Sequence, residues 1–306
     1  MHGLLLVDKP QGLTSHDVVA RVRRLFGTRE VGHSGTLDPM ASGLMVLLIG
    51  EATKLSQYVT EGNKSYQVGF KLGVITDTLD ITGQIQSEKP VMVSDEYVQK
   101  SALALVGELN LPVPMFSAKK IDGKKLYEYA RNNEVIAQPL KLMKFWNVQY
   151  FSTDLSKVIE KNGQSYYELS CSKGSFVRSW VSFLGDQLGC GAAMSSLRRT
   201  ESHQFNLKDA ITLDLLEEKT KEERLSRLIP LDQALKDVKR IRVRGQDQAL
   251  MKNGQISHNL KSQLISMFNP ALDQIIQILP EEKGSLLALI GLEEGTGFKI
   301  KRVFNC

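Results

Sequence analysis

The stretch Gly32-His33-Ser34-Gly35-Thr36-Leu37-Asp38-Pro39-Met40-Ala41-Ser42-Gly43 constrains this chain most, because it runs without a break into the apolar residues Leu44 to Ile49. Glycines let the backbone approach a neighbour or ligand closely, and Pro39 restricts the residue beside it. The apolar run reads as a buried strand closed by Gly50. A helical, basic stretch precedes the loop. Asp38 is therefore an acid in a tightly specified loop at the mouth of a buried strand. A plain Leu-Asp-Pro turn explains Asp38 alone, but it does not explain so many special residues around it.

The rest of the pattern is that of a mixed chain. Leu4 to Val7 reads as a short buried strand, and Pro10-Gln11-Gly12 as a turn. Thr14 or Ser15 caps a helix through Val18, Val19, Val22 and Leu25 that ends near Gly27. A short helix is expected at Thr53 to Val59, a strand with period two at Lys64 to Leu72, and helices at Ser94 to Val106 and Leu126 to Arg131. Strands follow at Phe145 to Thr153 and Tyr166 to Ser172, paired through a hairpin turn at Lys161-Asn162-Gly163. A helix from Val177 to Leu188 stops at Gly189. The segment 215–235 is charged and helical. From Lys236 onward short strands and glycine turns predict a small β-rich appendage.

These readings give an α+β chain with two domains, 1–235 and 236–306, around a largely antiparallel sheet. No apolar run approaches the length of a membrane span, and the N-terminus lacks the basic start of a secretory signal. Cys171, Cys190 and Cys306 form no ligand spacing and read as reduced thiols, which predicts a cytoplasmic protein. The net charge of +5 is uneven: residues 236–306 hold 11 Lys and Arg against 7 Asp and Glu. Clusters at Lys239, Arg240, Arg242 and Arg244, and at Lys299, Lys301 and Arg302, suit a phosphate backbone, although solvated strand faces account for them equally.

Asp38 is the first chemical candidate, as base or nucleophile. The second is Ser172-Lys173-Gly174-Ser175-Phe176-Val177-Arg178, where a glycine turn delivers a helix with Arg178 in its first turn. An arginine there opposes the helix dipole, so a carboxylate partner is expected for its guanidinium fork. Sequence leaves open whether that partner is Asp38. Tyr66 reads as core or as a stacking surface. Asp77 and Asp80 are weak evidence for a metal, so none is expected. No phosphate-binding glycine loop, dinucleotide fingerprint or hydrolase elbow is found, and no cofactor is expected.

Several motifs then agree in order and spacing. Asp8-Lys9-Pro10-Gln11-Gly12-Leu13-Thr14-Ser15, the Asp38 loop, Gly50-Glu51-Ala52-Thr53-Lys54, Lys64-Ser65-Tyr66, Thr76-Asp77-Thr78-Leu79-Asp80, Leu126-Tyr127-Glu128-Tyr129-Ala130-Arg131, the Arg178 segment and Leu197-Arg198-Arg199 together resemble the TruB-type tRNA pseudouridine-55 synthases over about residues 3–235. The tail is similar, more weakly, to that family's small PUA-like β-barrel. The resemblance implies isomerisation of a T-loop uridine in tRNA after base flipping, without cofactor, metal, guide RNA or protein partner, by a monomer. It implies Asp38 as nucleophile, Tyr66 stacked on the flipped uracil, and Arg178 as partner of the carboxylate. His33 would fill the vacated stack. Phe176, Leu197, Asp80 and Lys64 would contact substrate, and Lys9 and Pro10 would support the loop.

The chain departs from the family pattern at Phe176, where a tyrosine is common, and at Leu111, Phe116 and Asn132-Asn133, in a segment expected to clamp RNA. Ser42 replaces a common threonine and keeps the hydroxyl. Three rivals remain: an RNA-guided synthase of the dyskerin type, a tRNA-binding chaperone without catalysis, and an Asp-dependent hydrolase using a second acid.

Overall fold

The computed structural model describes residues 1–132, 134, 136–151, 164–282 and 284–305. Lys161-Asn162-Gly163 and Asn133 lie outside these residues. The centre of the molecule is a ten-stranded sheet. Its main path starts at Ile211–Thr212 and passes through Gly3–Lys9, Ser42–Ile49, Ala192–Ser202, Lys64–Leu72, Gln164–Cys171 and Leu140–Tyr150 to Gly107–Pro112. Pairing is antiparallel except where Gly3–Lys9 meets Ile211–Thr212 and where Ser42–Ile49 meets Ala192–Ser202.

The apolar runs at Leu4 and Leu44 are continuous because both faces of those strands are covered. Leu5, Val7, Met45 and Leu47 face one core with the helices Ser15–Phe26 and Val177–Gln187, and Trp180 packs there against Phe70, Phe145 and Tyr167. Leu4, Leu6, Leu44 and Val46 face a second core with Leu231, Ile275, Leu289 and Phe304. That second core crosses residue 235, so the C-terminal part is packed onto the back of the large sheet rather than tethered to it.

The helix after the first turn forms as its caps dictate. Thr14 accepts from the Asp17 amide while Asp17 accepts from the Thr14 amide, and Gly27 closes the helix at a φ of 62°. Residues from 236 onward form a four-stranded sheet, Arg240–Val243, Ile276–Pro280, Ala288–Glu293 and Gly297–Val303. Two helices, Gly245–Lys252 and His258–Met267, cover its other face. The sequence reading did not anticipate these helices, nor the strand Ala192–Ser202. That strand mixes small, polar and basic residues because it lies in the middle of the sheet and carries site residues on one face, so it shows neither clean alternation nor an apolar run.

Candidate active site

The Asp38 loop leaves the short strand Val31–His33 and returns in Ser42–Ile49, and both shoulders and the tip are fastened. Ser15 Oγ donates to the Leu37 carbonyl at 3.0 Å and accepts from the Leu37 amide at 2.9 Å. The Pro39 carbonyl accepts from the Gly12 amide at 2.8 Å and from Lys9 Nζ at 3.4 Å. Lys9 also donates to the Leu13 and Pro10 carbonyls, at 2.7 and 3.1 Å. Its ammonium is wholly buried, and that burial lowers its pKa to about 8 even though Asp38 nearby favours the charged form. Lys9 and Pro10 thus brace the loop from behind.

Arg178 emerges from the first turn of its helix and reaches Asp38, Nη2 to Oδ2 at 3.1 Å. The same guanidinium donates to the Thr78 and Phe116 carbonyls at 3.0 Å each, and Nη1 lies 3.8 Å from Asp80 Oδ2. The Arg178 side chain is 7% exposed and that of Asp38 is 36% exposed. A fixed, desolvated fork therefore presents a carboxylate that remains open on its other side. Asp80 is buried and accepts from Thr78 Oγ1 and the Thr82 amide, both at 3.0 Å. Asp77 accepts from the Gln84 amide at 2.8 Å. These acids shape the 77–84 turn.

Asp38 opens onto a pocket of about 380 Å³ whose walls include Tyr66, Leu197, Phe176, Lys64, Arg178 and Arg199. Lys64 is buried, and its ammonium donates to the carbonyls of Thr60 and Gly62. Burial lowers its pKa to about 8 as well. Tyr66 is half-buried in the pocket wall, and burial pushes its phenol up to about 12. Phe176 lies at the mouth with Lys141 Nζ 5.9 Å from its ring centre.

The structure brings together Asp38, Tyr66, Arg178, Phe176, Leu197 and Lys64, from four separate parts of the chain. It does not bring Asp80 or His33 to the pocket wall. Asp80 stands behind Arg178. His33 ends its strand beside the loop, its ring edge-on to His16 at 5.9 Å, and burial first, then His16 and Arg199, lower its pKa. The segment 111–118, expected to clamp RNA, forms part of the site: Phe116 holds Arg178 by its carbonyl, and Ser117 and Ala118 line the pocket. The departures at Leu111 and Phe116 leave these contacts intact, because Leu111 is core and Phe116 acts through its backbone.

Arg199 was quoted within a motif but not singled out. It is 2% exposed, and no carboxylate among the described residues forms an ion pair with it. A charged residue in mid-sheet, two positions from an apolar pocket residue on the same strand, was the available signal.

Comparisons with known proteins identify relatives of the fold and of the sequence. The fold matches that of an H/ACA RNP bound to a substrate RNA containing 2'-deoxyuridine, with a TM-score of 0.68 at 20% identity, covering 99% of this chain and 85% of the other. The TruB family pseudouridylate synthase N-terminal domain matches residues 23–177, and the tRNA pseudouridylate synthase B C-terminal domain matches 178–236. A tRNA pseudouridine synthase B of Bdellovibrio bacteriovorus is 52% identical over 99% of this chain and 97% of its own length. One of Syntrophotalea carbinolica is 34% identical over 100% and 98%. The fold and these relatives are those of a pseudouridine synthase, an isomerase. Within that class the chain belongs to the TruB family.

Proposed function

We propose that this chain converts uridine 55 in the T-loop of tRNA to pseudouridine as a stand-alone cytoplasmic monomer, with Asp38 as the nucleophile. The observation that carries the reading is the Asp38 carboxylate held at 3.1 Å by a buried Arg178 on the rim of a pocket that also presents Tyr66. The relatives cited above, named tRNA pseudouridine synthase B, supply the substrate class.

A nucleotide enters such a pocket only after leaving its stack, at a cost of a few kcal/mol. The Tyr66 ring and the Leu197 and Phe176 side chains offset this by covering the flipped base. On this reading His33 fills the vacated stack. The bond between ribose C1′ and uracil N1 breaks, with Asp38 taking part either by attack at C1′ or through a glycal. The base turns, C5 bonds to C1′, the C5 proton leaves and N1 gains one. Atoms and electrons balance as an isomerisation, so the chemistry calls for no oxidant or activated group. Arg178 keeps Asp38 aimed throughout. The exposed basic residues of the C-terminal lobe, read as a PUA-like unit, follow phosphates rather than bases.

The test is pseudouridine formation on an unmodified tRNA transcript without metal, ATP or guide RNA, comparing the parent with Asp38→Asn. The reading expects product from the parent, and none from a variant that still binds the transcript. Tight binding by the parent without product would favour an RNA chaperone, and a requirement for added guide RNA would favour the dyskerin type. Product from Asp38→Asn would remove the nucleophile assignment.

A further inference from the structure

Arg199 is buried without an acidic partner, and the mechanism above does not use it. Burying a guanidinium is expensive unless its donors are satisfied. Here they converge on the catalytic loop. Nε donates to the Leu44 carbonyl at 2.6 Å and Nη2 to the Gly35 carbonyl at 3.3 Å. Gly35 and Leu44 are the two shoulders of the loop that carries Asp38. The same guanidinium lines the pocket together with Tyr66, its partner on the neighbouring strand. Its own backbone is fixed, because Arg199 pairs with Gly43 on one side and Tyr66 on the other.

We propose that Arg199 is a positioning residue for the isomerisation: its guanidinium staples the two shoulders of the Asp38 loop while its backbone pairs with Tyr66, and it so sets the distance between the two reacting faces of the pocket. The proposal rests on the reading of Asp38 and Tyr66 as groups that meet the substrate. Lysine cannot replace Arg199 here. It offers one point charge on a flexible stem, whereas the guanidinium offers donors in a planar fork that reaches separate acceptors at once. Tyr66 gains in a second way. Burial disfavours its ionised form, and the Arg199 charge opposes that. Cation placement of this kind contributes to the chemical step rather than to binding.

The experiment compares single-turnover rates and RNA affinity for the parent, Arg199→Lys, Tyr66→Phe and the double variant, on a tRNA transcript. Arg199→Lys should slow the chemical step by about tenfold to a hundredfold, with RNA affinity changed by less than about threefold. In the Tyr66→Phe background the same substitution should cost much less, because the phenol oxygen on which the Arg199 charge acts is already gone. Equal costs in both backgrounds, or a loss confined to affinity, would overturn the proposal.

A readout without RNA keeps this test separate from the substrate assignment. In protein carrying carbon-13 at tyrosine Cζ, Arg199→Lys should shift the Tyr66 resonance and leave that of Tyr97, on a distant helix, in place. Arg199→Gln is the second variant, and thermal unfolding of both verifies that they fold. An unmoved Tyr66 resonance in a folded variant would also overturn the proposal. A parent that modifies no tRNA but shows the Tyr66 shift would remove the substrate reading and leave the staple standing.

Discussion

The pocket and the C-terminal lobe both concentrate positive charge, but in opposite states. In the pocket region Lys9, Lys64, Arg178 and Arg199 are all buried, and each is tied to backbone carbonyls. In the lobe Arg240, Arg242, Arg244 and Lys299 stand exposed on strands and their ends. A buried cation has one geometry and a field little screened by water. An exposed one has many rotamers and acts through a Debye layer of about 8 Å at physiological salt. The first kind can aim a reacting group, whereas the second can only raise the local concentration of a polyanion. Substitutions in the two places should therefore fail differently: the pocket in rate, the lobe in affinity and salt dependence.

The sharpest way to break that distinction is Arg178→Lys. It keeps the charge and removes the fork that holds Asp38 and the Thr78 and Phe116 carbonyls at once. The chemical step should slow by about a hundredfold to a thousandfold, the scale on which losing one positioned donor acts, while RNA affinity stays within a few-fold. Single-turnover kinetics beside filter binding measure both. A large loss of affinity with the rate intact would place Arg178 in the same class as the surface cations.

Backbone approach is the next largest effect. Gly43 has a φ of 100° and pairs with Arg199 across the parallel junction of two strands. A Cβ there would meet the Arg199 backbone oxygen and nitrogen, which cannot swing aside. Gly43→Ala should lower unfolding free energy by about 2–4 kcal/mol, combining left-handed strain with a backbone clash. It should also damage activity, because it moves Arg199. Alanine at the exposed turn glycine Gly254, also at positive φ but with open space around it, should cost only about 1 kcal/mol. Urea unfolding of the two variants makes the comparison.

The parts legible in sequence were those encoded locally. Thr14, the spacing Val18, Val22 and Leu25, and Gly27 announced a helix, period two announced the strand Lys64–Leu72, and the Asp38 loop announced itself by its glycines and proline. An arginine misplaced on a helix dipole led to the expectation of a carboxylate partner, and the structure supplies Asp38 at 3.1 Å. What stayed hidden depends on the third dimension. The strand Ala192–Ser202 has no apolar alternation because the face that lines the pocket carries Arg199 as well as Leu197. The helices Gly245–Lys252 and His258–Met267 carry few apolar residues, since each covers a small sheet on one side only. Asp80 was read as touching substrate, but its place behind Arg178 follows from a turn whose Leu79 adopts a φ of 64°, which no motif states.

Burial of the pocket lysines also has a pH signature that exposed cations lack. Lys9 and Lys64 each titrate near 8 in the fold against an ordinary 10.5, because burial disfavours the charged form. A lysine whose folded pKa is depressed binds fewer protons folded than unfolded, so stability rises as pH climbs through about 8 and levels off near the ordinary value. Between pH 7.5 and 9 the gain should be about 1 kcal/mol per lysine. Above pH 9 the buried Cys171 thiol, pushed up to about 12, works in the opposite sense, because it stays protonated in the fold while the unfolded thiol ionises. Lys9→Met should remove about half of the rise. Urea unfolding at pH 7.5 and 9 reads it, and a parent curve flat over that window would mean that neither lysine is desolvated in solution.

The smallest effect belongs to the lobe. Arg240 and Lys299 are exposed and lie on the outer strands of the C-terminal sheet. If each neutralises a phosphate, replacing one by alanine releases about one fewer counterion on binding. The slope of log affinity against log salt should then fall by about 0.7–0.9 per residue, and affinity by about twofold to fivefold at physiological salt. The chemical step at saturating RNA should not move at all, because neither residue touches the pocket or its braces. Titration of tRNA binding at several salt concentrations, paired with single-turnover rates, separates the two quantities. A slope unchanged in both variants would assign these residues to solvated strand faces and would place the RNA-binding charge nearer the pocket, on Lys119, Lys141 and Lys173 around its mouth.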